Sequence, residues 1–117
     1  MLDLARSGAN LKAVVTFHAA LGTHLAIHPN QVQAEILVLH GAEDSMVSLD
    51  DVEQFKQEMS AAQVQHQVII FEHAKHGFSN PLADERAKAN QVDLGYNPAA
   101  EQQGLTAMYA LLAKKLK

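Results

Sequence analysis

Three short runs of aliphatic and β-branched residues set the strongest limit on how this chain can fold. They cover residues Ala13–His18, Glu35–His40 and Gln67–Glu72. The centre of each run is continuously apolar rather than alternating, which is typical of strands that are covered on both faces. Such strands belong to parallel sheets with helices on either side. The runs therefore predict an α/β fold with a three-stranded parallel sheet and flanking helices.

An amphipathic helix is predicted between the second and third runs. Ser48 and Asp51 form a candidate capping box at its start. Apolar residues then recur on one face of this helix, at Val52, Phe55, Met59 and Ala62. A strand, a helix and a strand in this order predict a parallel βαβ unit.

Two further helices are predicted at the ends of the chain. Residues Met1–Gly8 resemble the last turns of a helix that ends at a glycine. No capping residue precedes them, so we expect the chain to begin inside a larger pattern and its first strand to be an open edge. The final helix is predicted to start at Asn97 with Pro98 in its first position. Its apolar stripe is predicted at Leu105, Met108, Leu112 and Leu116.

The two longest connections are predicted to have no regular structure. One joins the first and second runs, and the other extends from His76 to Asn97. A long irregular loop in a compact domain is usually functional. The chain as a whole, residues 1–117, is predicted to be a single, partial domain.

Composition and charge exclude several classes of function. A net charge of -4 argues against nucleic acid as a partner, because phosphate binding needs a clustered basic face. The sequence contains no cysteine, which excludes disulfides and thiolate metal ligands within these residues. No targeting leader and no apolar run of membrane-spanning length is present, so a cytoplasmic protein without a membrane partner is expected.

Two reactive residues follow neighbouring strands of the predicted sheet. Asp44 comes directly after the second run, and His76 follows the third. Loops at the carboxyl ends of parallel strands line one crevice, so both side chains are expected at the same rim. An aspartate there can orient an imidazole and stabilise the imidazolium that forms during acyl transfer. An acid before a histidine is also the chain order of α/β-hydrolases.

Successive short motifs resemble those of the dienelactone hydrolase family. They are Ile36-Leu-Val-Leu-His-Gly-Ala-Glu-Asp44, Val47-Ser48, His73-Ala-Lys-His-Gly-Phe-Ser-Asn-Pro81 and Gly95-Tyr-Asn-Pro98. The opening stretch, from Leu4 to His18, resembles the segment that follows the nucleophile of that family. The resemblance implies the C-terminal part of an α/β-hydrolase fold and hydrolysis of a lactone or carboxylic ester by a nucleophile–His–Asp triad. By matching positions, Asp44 is the orienting acid and His76 is the general base.

The nucleophile of that family has no counterpart in this chain. Family members in their usual form are about twice as long and carry the nucleophile in a glycine-flanked elbow between a strand and a helix. None of the six glycines forms a Gly-x-Ser-x-Gly motif. Ser45 and Ser79 are close to the predicted site, but neither is on such an elbow. The isolated chain is therefore expected to be nearly inactive.

Other candidate sites are weaker. His24 and His28 have the spacing of two metal ligands on a helix, but Pro29 follows and no carboxylate is near, so no metal is predicted. His18 and His40 each end a strand and are interpreted as structural histidines close to the crevice. Glycines are isolated rather than clustered, so no nucleotide and no other cofactor is predicted.

A non-catalytic module remains an alternative function. An open apolar strand at the edge of a sheet tends to pair with another chain, which predicts self-association of a truncated product through this edge. A homo-oligomer, or pairing with a missing N-terminal segment, is therefore the expected macromolecular contact beside a small ester or lactone substrate.

Overall fold

A computed structural model describes residues 1–23 and 27–116 of the chain. Three strands and four helices form along these residues. In chain order they are α1 (Leu2–Arg6), β1 (Ala13–Phe17), β2 (Glu35–Gly41), α2 (Leu49–Ala61), β3 (His66–Phe71), α3 (Ala83–Asn90) and α4 (Pro98–Lys115).

The three strands form one parallel sheet in the order β1-β2-β3. Ala13 of β1 pairs with Glu35 of β2, and Ile36 of β2 pairs with His66 of β3. The parallel sheet and the βαβ unit are thus as predicted. Because all three strands run in one direction, the loops that follow them meet at one rim. We call this edge of the sheet the carboxyl rim.

Burial on both faces holds for the central strand but not for the third. Every residue of β2 after Glu35 is buried. In β3, however, Gln67 and Ile70 are exposed, and only Phe71 is fully buried. The prediction that all three strands are covered on both faces was therefore wrong for β3, which lies at the edge of the described sheet with little packed over it.

Helices pack against both faces of the sheet. On one face, α1 and α2 contribute Leu2, Val52, Phe55 and Met59 to a core with Val14 and Ile36. On the other face, α4 packs over Leu37 and Leu39. The start of α2 is fixed by Ser48, whose Oγ accepts a hydrogen bond from Asp51 N at 3.2 Å. The predicted N-cap is therefore confirmed.

Helix α4 presents a different face to the sheet from the one predicted. Asn97 caps it, with its Oδ1 accepting from Ala100 N, and Pro98 is its first residue, as expected. Its buried residues, however, are Ala100, Gly104 and Leu111, whereas Leu116 is 64% exposed. A Cβ on Gly104 would lie 2.9 Å from Phe17 Cε1, so small residues let the helix approach the sheet closely. Leu105, Met108 and Leu112, in the predicted stripe, are only partly buried.

The connection from His76 to Asn97 is more regular than predicted. It contains α3, in which only Ala83 is buried. The sequence of this helix has almost no apolar periodicity, which explains why a loop was predicted there. Among the described residues of the connection between β1 and β2, no helix or strand forms. Within residues 1–23 and 27–116, no helix has the length and apolar character needed to span a membrane.

A buried arginine anchors α1 against α2. Arg6 is 1% exposed. Its Nε and Nη2 donate to the two carboxylate oxygens of Glu58 at 2.9 and 2.7 Å, and Nη2 also donates to Leu21 O. A guanidinium is suited to such a bidentate contact because its donors are held in a rigid plane. The pair fixes the end of α1 beside the C-terminal half of α2, far from the carboxyl rim.

Candidate functional site

The two residues singled out at the carboxyl rim lie in direct contact. Asp44 is in the turn after β2, and His76 is in the loop after β3. His76 Nδ1 donates a hydrogen bond to Asp44 Oδ2 at 2.8 Å. The His76 side chain is 24% exposed, whereas that of Asp44 is fully buried. The sheet thus brings together an acid and an imidazole that are distant in the sequence.

Both oxygens of the Asp44 carboxylate are engaged. Oδ1 accepts from Met46 N at 2.8 Å and from Val47 N at 3.0 Å, while Oδ2 binds His76. A buried carboxylate is costly unless its oxygens are paired. The backbone amides therefore compensate for the burial of Asp44 and fix the direction in which Oδ2 points.

A hydrogen bond from the buried His40 stabilises the turn that carries Asp44. This histidine is 1% exposed, and its Nε2 donates to Val47 O at 3.0 Å. Glu43 N donates to Ala74 O at 2.9 Å, which ties the same turn to the loop after β3. The interpretation of His40 as a structural histidine agrees with these contacts.

The loop that carries His76 is fixed by the segment that leads into α4. Gly95 N donates to His76 O at 3.2 Å, and Asn97 N donates to Phe78 O at 3.0 Å. Phe78 is fully buried, and its ring contacts those of Phe17 and Phe71 at centroid distances of 6.2 and 5.5 Å. A cluster of three phenylalanine rings thus packs next to the carboxyl rim.

A second histidine lies against His76. The rings of His18 and His76 meet edge to face with their centroids 5.3 Å apart, and His18 Nε2 is hydrogen-bonded to Ser79 Oγ at 2.8 Å. Burial is the main cause that lowers the pKa of His18, and the nearby His76 charge acts in the same direction. The sequence placed His18 near the crevice, but it gave no signal for the contact with Ser79, which is read only from the folded loop.

Exposed charged groups surround the pair without contacting its hydrogen bond. Glu43 is bound to His73 Nδ1 at 3.2 Å rather than to His76. Asp93 accepts from Ser45 Oγ at 2.8 Å and from Lys75 Nζ at 3.0 Å. These two donors, Ser45 first, lower the pKa of Asp93. Ser45 is therefore engaged at the surface of the rim.

The metal pair considered from the sequence falls partly outside the described residues. His24 lies among residues 24–26, which the structure does not describe, and His28 is in a turn region. Within the rest of the chain, no group of three or more histidine or acidic side chains has the arrangement of a metal site.

The geometry at the rim suits proton transfer. An imidazole whose Nδ1–H is bound to a carboxylate keeps a lone pair on Nε2, and the carboxylate stabilises the ring when it becomes charged. His76 and Asp44 have this arrangement, with the imidazole partly open to solvent and the carboxylate closed off from it.

Comparison with known proteins places the chain in a family. The Dienelactone hydrolase family profile matches residues 1–116. Among solved structures, m3DLH is 36% identical with a TM-score of 0.83. A dienelactone hydrolase-like promiscuous phosphotriesterase from metagenomic libraries is 32% identical with a TM-score of 0.81. In each case the match covers 97% of this chain and 46% of the other.

A curated relative is likewise matched over only part of its length. A putative carboxymethylenebutenolidase of Synechocystis sp. is 28% identical over 95 residues, which cover 74% of this chain and 37% of the relative. The chain therefore spans less than half the length of the proteins it matches. Its parallel sheet with flanking helices is of the α/β-hydrolase type. The chain belongs to the dienelactone hydrolase family.

Proposed function

We propose that this chain supplies the acid and the general base of a hydrolase that cleaves a lactone or a carboxylic ester. Asp44 is the orienting acid and His76 is the base. The hydrogen bond between His76 Nδ1 and Asp44 Oδ2, at 2.8 Å, is the observation that carries the proposal. Membership of the dienelactone hydrolase family supports the reaction class. The name of the Synechocystis relative, a carboxymethylenebutenolidase, favours a lactone as substrate.

The nucleophile of the proposed triad lies outside these residues. The sequence has no cysteine and no glycine-flanked serine elbow. Ser45 and Ser79, the serines near the rim, are bound to Asp93 and His18 respectively. Residues 1–117 thus act as one part of a longer α/β-hydrolase domain. The coverage of 46% of each solved relative supports this division.

The direction of α1 supports the same arrangement. Arg6, at the end of this helix, is bound to Glu58 near the end of α2, and β1 begins soon afterwards. Because α2 runs back from the carboxyl rim, Glu58 is near the opposite end of the sheet. Helix α1 therefore runs antiparallel to the strands, and its first residues are the ones that point towards the rim. A segment that enters α1 would approach from the side of Asp44 and His76.

In the proposed reaction His76 transfers one proton during formation of the acyl-enzyme and one during its hydrolysis. Its Nε2 takes the proton from the nucleophile while the oxygen or sulfur of that group attacks the carbonyl carbon. The imidazolium, stabilised by Asp44, then gives the proton to the alkoxide oxygen as the C–O bond of the ester breaks. In the second half His76 takes a proton from water, whose hydroxide attacks the acyl group. The proton returns to the nucleophile as the carboxylic acid leaves.

The open edge of β1 supports a second candidate function. In the described residues β1 pairs with β2 alone, and its outer side is unpaired. A non-catalytic product could complete the sheet by pairing with another copy of the chain. Light scattering after size-exclusion chromatography tests this function directly, since a stable monomer at high concentration contradicts it.

Ester hydrolysis by a reconstituted protein tests the first proposal. The purified chain alone is expected to hydrolyse p-nitrophenyl acetate no faster than buffer, because loss of the nucleophile typically costs on the order of 10⁶-fold in turnover. Joining the chain to the part of m3DLH that it does not cover is expected to restore hydrolysis. A folded fusion that remains inactive would contradict the proposal. The matched control is the same fusion with its nucleophile replaced by alanine, which is expected to stay inactive.

A further inference from the structure

His18 occupies a backbone conformation that is unfavourable for most residues. Its φ is 44°, in the left-handed region, although its amide still donates to Leu39 O at 2.9 Å. Outside glycine, this region is visited mainly by asparagine, aspartate and histidine. Strained backbone is kept where the surroundings require it, and such positions cluster at functional sites. The turn directs the His18 side chain over the carboxyl rim rather than along the strand.

The ring of His18 is held by three residues of one loop. Its Nε2 is bound to Ser79 Oγ at 2.8 Å. It packs in an edge-to-face arrangement against the rings of His76 and Phe78, at centroid distances of 5.3 and 5.2 Å. All three partners lie in the loop after β3, which also carries the contact from His76 to Asp44. His18 therefore joins the end of β1 to the side of the His76 ring.

The charge of His18 is compatible with a place beside a base. Burial and the proximity of His76 lower its pKa, while Asp44 acts in the opposite direction. A lowered pKa favours the neutral form of the His18 ring, which does not repel a protonated His76. A neutral ring in this place restricts the movement of His76 without opposing its charge.

We propose that His18 is a positioning residue, whose ring, anchored by Ser79, packs against His76 and keeps His76 Nδ1 on Asp44. The inference rests on the proposed role of His76 as the base. Without this packing, the His76 ring can rotate away from Asp44, and its proton then moves to Nε2, because the partner of one ring nitrogen decides which nitrogen carries the proton.

The tautomer of His76 in the intact chain tests the inference. Imidazole ¹H–¹⁵N correlation spectra are recorded at a pH of about 9, above the usual range of histidine pKa values. The wild-type chain is expected to show His76 protonated on Nδ1. His18→Asn tolerates the left-handed backbone but lacks the ring, and it is expected to lose the Nδ1–H signal and gain one from Nε2–H.

A matched control separates this effect from a general disturbance of the rim. His73 also has a left-handed backbone, with a φ of 61°, and its side chain is 85% exposed and bound to Glu43. His73→Asn is expected to leave the His76 signals unchanged. An unchanged Nδ1–H signal in His18→Asn would overturn the inference. If His18→Asn does not fold, Ser79→Ala decides, since it removes only the anchor and is expected to give a mixture of both tautomers.

The spectra do not depend on activity, so this inference and the proposed function can fail separately. If the fusion with m3DLH is inactive while His18→Asn still shifts the tautomer, the positioning role stands and the hydrolase proposal fails. If the fusion is active and the tautomer does not respond to His18→Asn, the positioning role fails alone.

Discussion

Replacement of His76 by alanine is expected to reduce ester hydrolysis by the reconstituted fusion on the order of 10⁴- to 10⁶-fold. The loss is large because the proposed proton transfer depends on His76, and the neighbouring His18 has a lowered pKa and is bound to Ser79. Initial rates with p-nitrophenyl acetate measure the effect. His73→Ala is the matched control, because His73 is in the same loop but binds Glu43. It is expected to stay within about twofold of the parent, as surface substitutions usually do. Equal rates for His76→Ala and the parent fusion would refute the assignment of the base.

Gly41→Ala is expected to lower the free energy of unfolding by about 3 kcal/mol or more. A Cβ on this last residue of β2 would lie 2.3 Å from Ala74 O and 2.7 Å from Ala74 C. These are backbone atoms, so no side-chain rotation relieves the clash, and the ends of β2 and β3 must separate. Urea unfolding monitored by circular dichroism measures the change.

The matched control for this stability test is Gly22→Ala. Apart from its chain neighbours, no atom of residues 1–23 and 27–116 lies within 4 Å of a Cβ on Gly22. The substitution is expected to change stability by no more than about 0.5 kcal/mol. The two loops that Gly41→Ala would push apart carry Asp44 and His76. Spectra of the folded fraction are therefore expected to lose the hydrogen-bonded proton of His76 as well. Equal stabilities for the two alanine variants would show that β2 and β3 tolerate the separation.

The parts of the fold that follow from local pattern were predictable from the sequence. The apolar run around Ile36 to Leu39 predicts a buried strand, and Ser48 predicts the start of α2. The placement of Asp44 and His76 at one rim also follows, because it needs only the order of parallel strands. These features depend on residues close in sequence or on a topological rule.

Features that depend on packing between distant segments could not be predicted in the same way. Helix α4 buries Ala100, Gly104 and Leu111 rather than the predicted stripe, and at Gly104 the ring of Phe17 leaves no room for a side chain. Helix α3 buries almost nothing, so its sequence carries no periodic signal. The contact between His18 and Ser79 joins residues 61 positions apart and has no local pattern.

The two carboxylate oxygens of Asp44 have different hydrogen-bond partners, so different substitutions at this position separate their roles. Oδ1 closes its own turn through two amides, and Oδ2 serves the imidazole. Alanine at this position would remove the hydrogen bonds of both oxygens together. Asparagine can keep a carbonyl oxygen on the amides while it turns a donor, rather than an acceptor, towards His76. The backbone of the turn would then keep its shape. His76 Nδ1 would have to accept a hydrogen bond from the asparagine, so the ring proton would move to Nε2, the nitrogen that has to act as the base.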